Sequence, residues 1–253
     1  MTVLPDKSSP LFLLLPLLFV SVARPAEMPS GESLLQISLQ KSGGAEAFAK
    51  ARNAVLTGKV EMAGHNIGGP VEIYQEDGKS YTAIDLPGIG KVEEGFDGET
   101  AWEMNSLQGA RVKDGEERAA VIRASRMSVL DTWRDFYSAA TTVGSEDVDG
   151  KPAWKVEMTP KEGKPEIFYF DKQSMLLVRT TAHIATALGE IPVDTRLGDY
   201  RPVDGIQTPF SMTQNAMTQT LVMKFDKVQY NASIPPGRFD LPAAVKAIAQ
   251  RQK

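Results

Sequence analysis

The chain has 253 residues, of which 42% are hydrophobic, and its 28 basic and 32 acidic side chains give a net charge of −4. An acidic chain lacks the positive electrostatic field that attracts nucleic acids and anionic membrane surfaces, so both are disfavoured as partners. The absence of cysteine excludes disulfides, thiolate nucleophiles, cysteine zinc sites and a lipid attached to a cysteine.

The first element along the chain is the apolar run LFLLLPLLFVSVA, which ends at Ala23. It is shorter than the roughly 20 residues that a membrane-spanning helix needs, and small residues stand where a signal peptidase cuts. The run therefore predicts a secretory signal peptide over residues 1–23. No linker divides the remaining residues 24–253, which we expect to form a single domain. An uncleaved membrane anchor is the alternative, and Ala26 offers a second cleavage position.

Helices are predicted next, and strands follow them. Alanine- and leucine-rich segments predict helices over residues 32–40 and 45–54. Alternation of apolar and polar residues then predicts half-buried strands at Leu56–Met62 and Val71–Ile73. Asp-Gly dipeptides, which suit tight hairpin turns, predict an antiparallel meander; they are Asp77-Gly78, Asp97-Gly98, Asp114-Gly115, Asp149-Gly150 and Asp204-Gly205.

A helical segment interrupts the strands between residues 114 and 137. Its apolar residues have helical spacing, and three arginines alternate with them: Arg118, Arg123 and Arg126. Ser128 and Asp131 resemble a capping box before a second helix that carries Trp133 and Phe136. We expect these rings to lie in the core or in a lid over the sheet. Strands then continue to a short C-terminal helix over residues 241–250.

No motif in the chain indicates catalysis, a cofactor or a metal. His65 and His183 have no partner at metal-binding spacing, and the serine-hydrolase elbow and the phosphate-binding glycine motifs are absent. We therefore predict a non-enzymatic protein with no catalytic residues, no cofactor and no metal. A hydrolase that uses two carboxylates remains an alternative, because sequence spacing cannot show which carboxylates face each other across a sheet.

Three segments resemble the LolA-like superfamily, the lipoprotein-sorting or lipoprotein carrier type of periplasmic protein. They are EGFDGETAWEM (residues 94–104), EDVDGKPAWKVEMTPKEGKPEIFYFDKQSMLLVR (146–179) and DYRPVDGIQTPFSM (199–212). The resemblance implies an α+β fold. Its expected form is an incomplete antiparallel β-barrel of about a dozen strands, wrapped around a hydrophobic cavity and covered by helices.

The resemblance also implies a function in the periplasm, the non-covalent binding of lipids or lipoprotein acyl chains without catalysis. We expect the protein to be a monomer that contacts membranes only transiently. We expect large apolar side chains to line the cavity, namely Trp102, Trp154, Phe168, Phe170 and Met223. Core packing is the alternative for these residues, including Trp102 and Phe96 on either side of the Asp97-Gly98 turn. The alternative function is that of an envelope interaction protein whose concave sheet binds a protein partner.

Overall fold

A computed structural model describes residues 1–2, 28–106, 108–186 and 189–251. Within these ranges the chain forms five helices and 13 strands. The helices are α1 (Gly31–Lys41), α2 (Gly44–Lys50), α3 (Gly115–Ala124), α4 (Val129–Phe136) and α5 (Ala243–Arg251). The predicted signal peptide lies, apart from residues 1–2, outside the described residues.

The strands follow the two N-terminal helices and are interrupted once, by α3 and α4. They are β1 (Asn53–Met62), β2 (Ile67–Glu76), β3 (Lys79–Leu86), β4 (Gly90–Phe96), β5 (Ala101–Asn105), β6 (Gly109–Lys113), β7 (Tyr137–Val148), β8 (Lys151–Pro160), β9 (Glu166–Asp171), β10 (Leu177–Thr186), β11 (Gly189–Val203), β12 (Ile206–Ala216) and β13 (Gln219–Tyr230).

All described strands belong to one antiparallel sheet in the order β6-β5-β4-β3-β2-β1-β13-β12-β11-β10-β9-β8-β7. Strand β1 pairs with both β2 and β13. The pairing of β1 with β13 therefore joins the two halves of the sheet. The order ends at β6 and β7, so the sheet is open. The predicted α+β fold with an incomplete antiparallel barrel is confirmed.

The sheet curves around α3. Strands β4 and β10 are seven positions apart in the strand order, which would separate them by roughly 33 Å in a flat sheet. Helix α3 touches both strands, yet its 10 residues span only about 15 Å. The helix therefore lies inside the curve and covers part of the inner face, as the prediction of a helical lid requires.

Most of the Asp-Gly dipeptides form the predicted hairpin turns. Asp149-Gly150 and Asp204-Gly205 connect paired strands, and all four residues have positive φ angles, between 48° and 84°. Positive φ angles at both central residues are what a tight two-residue hairpin turn needs. Asp114-Gly115 differs, because it precedes α3 with Asp114 as the N-cap residue.

Strand register assigns the side chains to two faces, because directly paired residues point to the same side of a sheet. Phe96 pairs with Ala101, and both pack against Val121 of α3, which identifies their side as the inner face. A second cluster on the inner face packs Phe168 and Phe170 of β9 against α1 and α4. A third occupies the centre of the sheet and includes Met223.

The outer face of β3 to β6 is covered by the C-terminal segment. Val245 of α5 is fully buried against Tyr81, Ala83 and Trp102. Beside it, the Arg238 guanidinium lies over the rings of Tyr74 and Tyr81, at 4.4 and 5.0 Å from the ring centroids. Strand β5 therefore contacts a helix on each face, α3 on the inner face and α5 on the outer face. In the described parts of the chain, no helix has the length and apolar character needed to cross a membrane.

Candidate ligand-binding cleft

A cleft of about 320 Å³ lies on the inner face, between α3 and strands β9 to β12. This volume is near the lower end of the range for small-molecule sites, roughly 300–1,000 Å³. Its cover is formed by one side of α3 together with Val129 of α4. We call it the α3 cleft, and its floor and walls include Phe168, Leu177, Thr180, Ala182, Ile184, Val193, Thr195 and Gln214.

Small side chains create the space in the α3 cleft. Helix α3 presents Ala120 and Ala124 to it, one helical turn apart, and the facing strand β10 presents Ala182. The adjoining part of the inner face instead carries Trp133 and Phe170, which fill the space between helices and sheet. A change from large to small residues along one face thus leaves a hollow beside a packed core.

One side of the cleft is bounded by a charged pair that ties α3 to β9. Arg123 Nη2 lies 2.6 Å from Glu166 Oε1, and the two side chains are only 12% and 15% exposed. The Tyr137 hydroxyl donates to the other Glu166 oxygen at 2.8 Å. Burial, reinforced by the negative charge of Glu166, raises the pKa of Tyr137, so its phenol is neutral at physiological pH. Both oxygens of Glu166 are therefore occupied by partners from other elements.

Ion pairs also hold the beginning of α3. Arg111 of β6 contacts Glu117 of α3 at 2.6 Å and Glu103 of β5 at 2.7 Å. Lys113 of β6 pairs with Glu94 of β4 beside them. Because charged groups fix both ends of the helix, the cover over the cleft has a defined position.

Of the residues predicted to line a cavity, Phe168 lines the α3 cleft. Phe170 and Trp154 are register partners on the same face, and they belong to the cluster beneath α1 and α4. Met223 also points to the inner face, paired with Val60 in the central cluster. These three residues therefore share a face with the cleft without forming its wall.

Trp102 lies on the other side of the sheet. It pairs with Gly95, while its neighbour Ala101 pairs with Phe96, so the Asp97-Gly98 turn directs its two rings to opposite faces. Phe96 packs against Val121 on the inner face, and Trp102 packs beneath Val245 on the outer face. The sheet itself separates Trp102 from the α3 cleft.

Sequence reasoning missed most of the cleft lining. Ala182, Val193 and Gln214 lie on three different strands and come together only through the pairing of β10, β11 and β12. Alternation in each strand indicates that one side faces a core, but it does not indicate where that core contains a hollow. The alanines of α3 were the available signal, because a cover helix with small residues can leave space beneath it.

The lining suits binding better than metal chemistry. In the described ranges, no group of three or more histidine, aspartate or glutamate side chains is arranged to hold a metal ion. His183 is exposed at the edge of the cleft. The arrangement offers an apolar floor, a helical cover and a few polar groups, which is the usual composition of a small-molecule site.

The chain matches no protein-family model and no curated protein. Three solved structures have the same fold. A DUF1329 family protein from Desulfovibrio piger is 14% identical with a TM-score of 0.55, over 85% of this chain and 98% of that one. A Vibrio parahaemolyticus domain of the outer membrane lipoprotein-sorting type is 10% identical with a TM-score of 0.55, over 83% of this chain and 96% of that one.

A LolA superfamily protein from Nitrosomonas europaea is 12% identical with a TM-score of 0.54, over 85% of this chain and 99% of the other. Similarity at such low identity shows the fold and does not identify a ligand. The agreement nevertheless extends over almost the full length of each of these three structures. The chain has a LolA-like fold.

Proposed function

We propose that the protein is a non-enzymatic periplasmic carrier or binding protein for lipids or lipoprotein acyl chains, which it holds non-covalently in the α3 cleft. The observation that carries this proposal is the hollow on the inner face, with Phe168, Ile184 and Val193 in its lining and α3 above it. Bound acyl chain would replace empty space next to apolar side chains. Burial of the chain would supply most of the binding free energy, and no covalent bond to the protein would form.

The energetics favour an acyl chain as ligand. Each methylene moved from water to an apolar site contributes about 0.8 kcal/mol, and association itself costs at least about 4 kcal/mol. Several buried methylenes are therefore needed before binding is favourable, and a long acyl chain supplies them. The small volume of the cleft suits a single chain.

The fold and the predicted signal peptide support the periplasmic part of the proposal. A structure with the same fold is a lipoprotein-sorting domain, which makes lipoprotein acyl chains a reasonable class of cargo by analogy. Export through cleavage after Ala23 would leave Arg24 as the first residue of the mature protein. N-terminal sequencing of protein recovered from a periplasmic fraction tests that step.

The primary experiment is native mass spectrometry of the protein purified from an envelope fraction, with lipids extracted in parallel. We expect a bound acyl species that organic solvent releases. If the protein is empty and no amphiphile changes its tryptophan emission, the proposal fails. Recovery of one stoichiometric protein partner by crosslinking, without lipid, would instead favour the envelope interaction protein.

A matched pair of α3 variants locates the binding site. Ala120 lines the cleft, whereas Ala119, the preceding residue of the same helix, does not. Ala120→Trp should fill the hollow and abolish acyl-probe binding, and Ala119→Trp should leave it nearly unchanged. Equal effects of the two substitutions would place the ligand elsewhere.

A further inference from the structure

Three polar side chains form a continuous row across the floor of the α3 cleft. Thr180 of β10 pairs with Thr195 of β11, and Thr195 pairs with Gln214 of β12. Paired residues in adjacent strands point to the same side, and all three residues line the cleft. We call Thr180, Thr195 and Gln214 the polar row.

The polar row is isolated within an apolar surface. The next inner-face row toward the β10–β11 turn contains Ala182, Val193 and Ala216. The next row in the other direction contains Leu197, Met212 and Met223. Burying hydroxyl and amide groups in such surroundings costs free energy unless they form hydrogen bonds.

Within the described part of the chain, the side chains of the polar row have no hydrogen-bond partner in the protein. Threonine hydroxyls and the glutamine amide can each donate and accept hydrogen bonds. Since the three residues are half-buried and open to the cleft, a bound molecule can reach them. The polar row is therefore positioned to contact a polar group of a ligand that lies in the cleft.

The charges around the cleft do not favour an anion. Besides His183, its described lining contains two side chains with a fixed positive charge, Arg123 and Lys164, and two acidic ones, Glu116 and Glu166. Arg123 is paired with Glu166, and Lys164 is paired with Glu190 at 2.5 Å. A carboxylate or phosphate headgroup is normally held by an available cation, and both of these cations are already paired.

We propose, as a refinement that rests on the proposed function, that the polar row recognises the uncharged ester or amide group of an acylated cargo. Thr195 and Gln214 donate hydrogen bonds to the acyl carbonyl oxygen, and the Gln214 side-chain oxygen can accept from an amide N–H. The acyl chain extends from there over the apolar rows. The cleft thus selects acyl esters and amides over free fatty acids.

Competition against a fluorescent alkyl-chain probe tests this selectivity on the unmodified protein. The competitors have equal chain length and are a monoacylglycerol, an N-acylethanolamine, the alkyl glyceryl ether that lacks the carbonyl, and the free fatty acid. We expect the ester and the amide to bind roughly three- to tenfold more tightly than the ether and the fatty acid, as one or two net hydrogen bonds would produce. Comparing ester with amide shows which linkage is preferred.

The double variant Thr195→Val/Gln214→Leu removes the two side chains that donate to the acyl carbonyl and retains similar side-chain volume. It should bind the ester and the ether equally. The control Thr213→Val changes a threonine of β12 that neighbours Gln214 and points to the opposite face, and it should keep the preference for the carbonyl.

The outcomes separate this inference from the proposed function. Equal binding of ester and ether by the unmodified protein, tighter binding of the fatty acid, or a carbonyl preference that survives in the double variant would each overturn recognition of the carbonyl by Thr195 and Gln214. In those cases the proposed function would still be supported if Ala120→Trp abolishes acyl binding. Failure of every competitor and of the probe to bind would contradict the proposed function itself.

Discussion

Gly95 and Trp102 are register partners on neighbouring strands, and the indole ring of Trp102 occupies the place where a side chain at residue 95 would start. A Cβ atom at Gly95 would come within 2.7 Å of Trp102 Cζ2, a distance that real Cβ contacts do not reach. The glycine thus allows the tryptophan to lie flat on the outer face. Trp102 is 1% exposed there.

Gly95→Ala should therefore destabilise the protein. The added methyl group displaces the indole from a packed site, and overpacking of this kind costs about 1–3 kcal/mol. Urea unfolding followed by circular dichroism measures the loss. Gly198→Ala is the control, since a Cβ there would meet no atom within 4 Å, and its stability should change little. Equal destabilisation by the two substitutions would contradict the role of the indole.

The three tryptophans should report ligand binding unequally. Trp133 and Trp154 lie in the cluster that contains Phe168, which also lines the α3 cleft, whereas Trp102 lies on the outer face. An acyl ligand should change the tryptophan emission of Trp102→Phe as much as that of the unmodified protein. Trp133→Phe and Trp154→Phe should each reduce the change. A response that disappears only in Trp102→Phe would argue against the α3 cleft as the binding site.

Arg123 and Glu166 should show measurable coupling in a double-mutant cycle. Their side chains are largely buried and lie 2.6 Å apart, so removal of one leaves the other without its main partner. We expect a coupling energy of about 1–3 kcal/mol from the unfolding free energies of Arg123→Ala, Glu166→Ala and the double variant. The exposed pair of Lys50 and Glu46 provides the comparison, with an expected coupling of about 0.5 kcal/mol or less. Additivity at Arg123 and Glu166 would mean that the pair does not fix α3.

Asp171 should contribute a pH-dependent part of the stability. Burial acts to raise its pKa, but hydrogen bonds from the Ser174 backbone and hydroxyl and from the Gln173 backbone outweigh this effect and lower the pKa below its ordinary value. A carboxylate whose pKa is lower in the folded state stabilises the fold above its unfolded pKa, and the contribution is lost as pH falls through the folded pKa.

Asp171→Asn should accordingly lose about 1–2 kcal/mol at neutral pH. Its stability should converge toward that of the unmodified protein as the pH falls from about 5 to about 2. Urea unfolding at a series of pH values measures the difference. Asp135→Asn, at an exposed residue, is the control and should change the stability little. A difference for Asp171→Asn that does not vary with pH would show that charge is not the cause.

Much of the fold could be predicted from local patterns and from the resemblance to a family. Alternation in Leu56–Met62 and the Asp-Gly turns at residues 149–150 and 204–205 indicate antiparallel hairpins, because these preferences depend on neighbouring residues. The same reasoning misplaced Asp114-Gly115, which starts a helix. An Asp before a helix can act as an N-cap, so the dipeptide alone does not distinguish the two structures.

The candidate site was much less predictable. Phe168 lies in the lining of the α3 cleft, whereas Trp102, an equally large apolar side chain, lies on the other face of the sheet. Large rings fill cores as readily as they line cavities. The cleft depends on small residues such as Ala120 and Ala182, which have no distinctive sequence pattern.

Composition and near-neighbour patterns are enough to establish that the chain has no thiol chemistry, that its strands have two unlike faces and that its hairpins are antiparallel. Which face is the inner one, and where it is hollow, depends on how strands that are distant in the sequence pair with one another. A shift of one residue in strand register would exchange the faces. The α3 cleft and its polar row therefore exist only because β10, β11 and β12 pair in one register beneath α3.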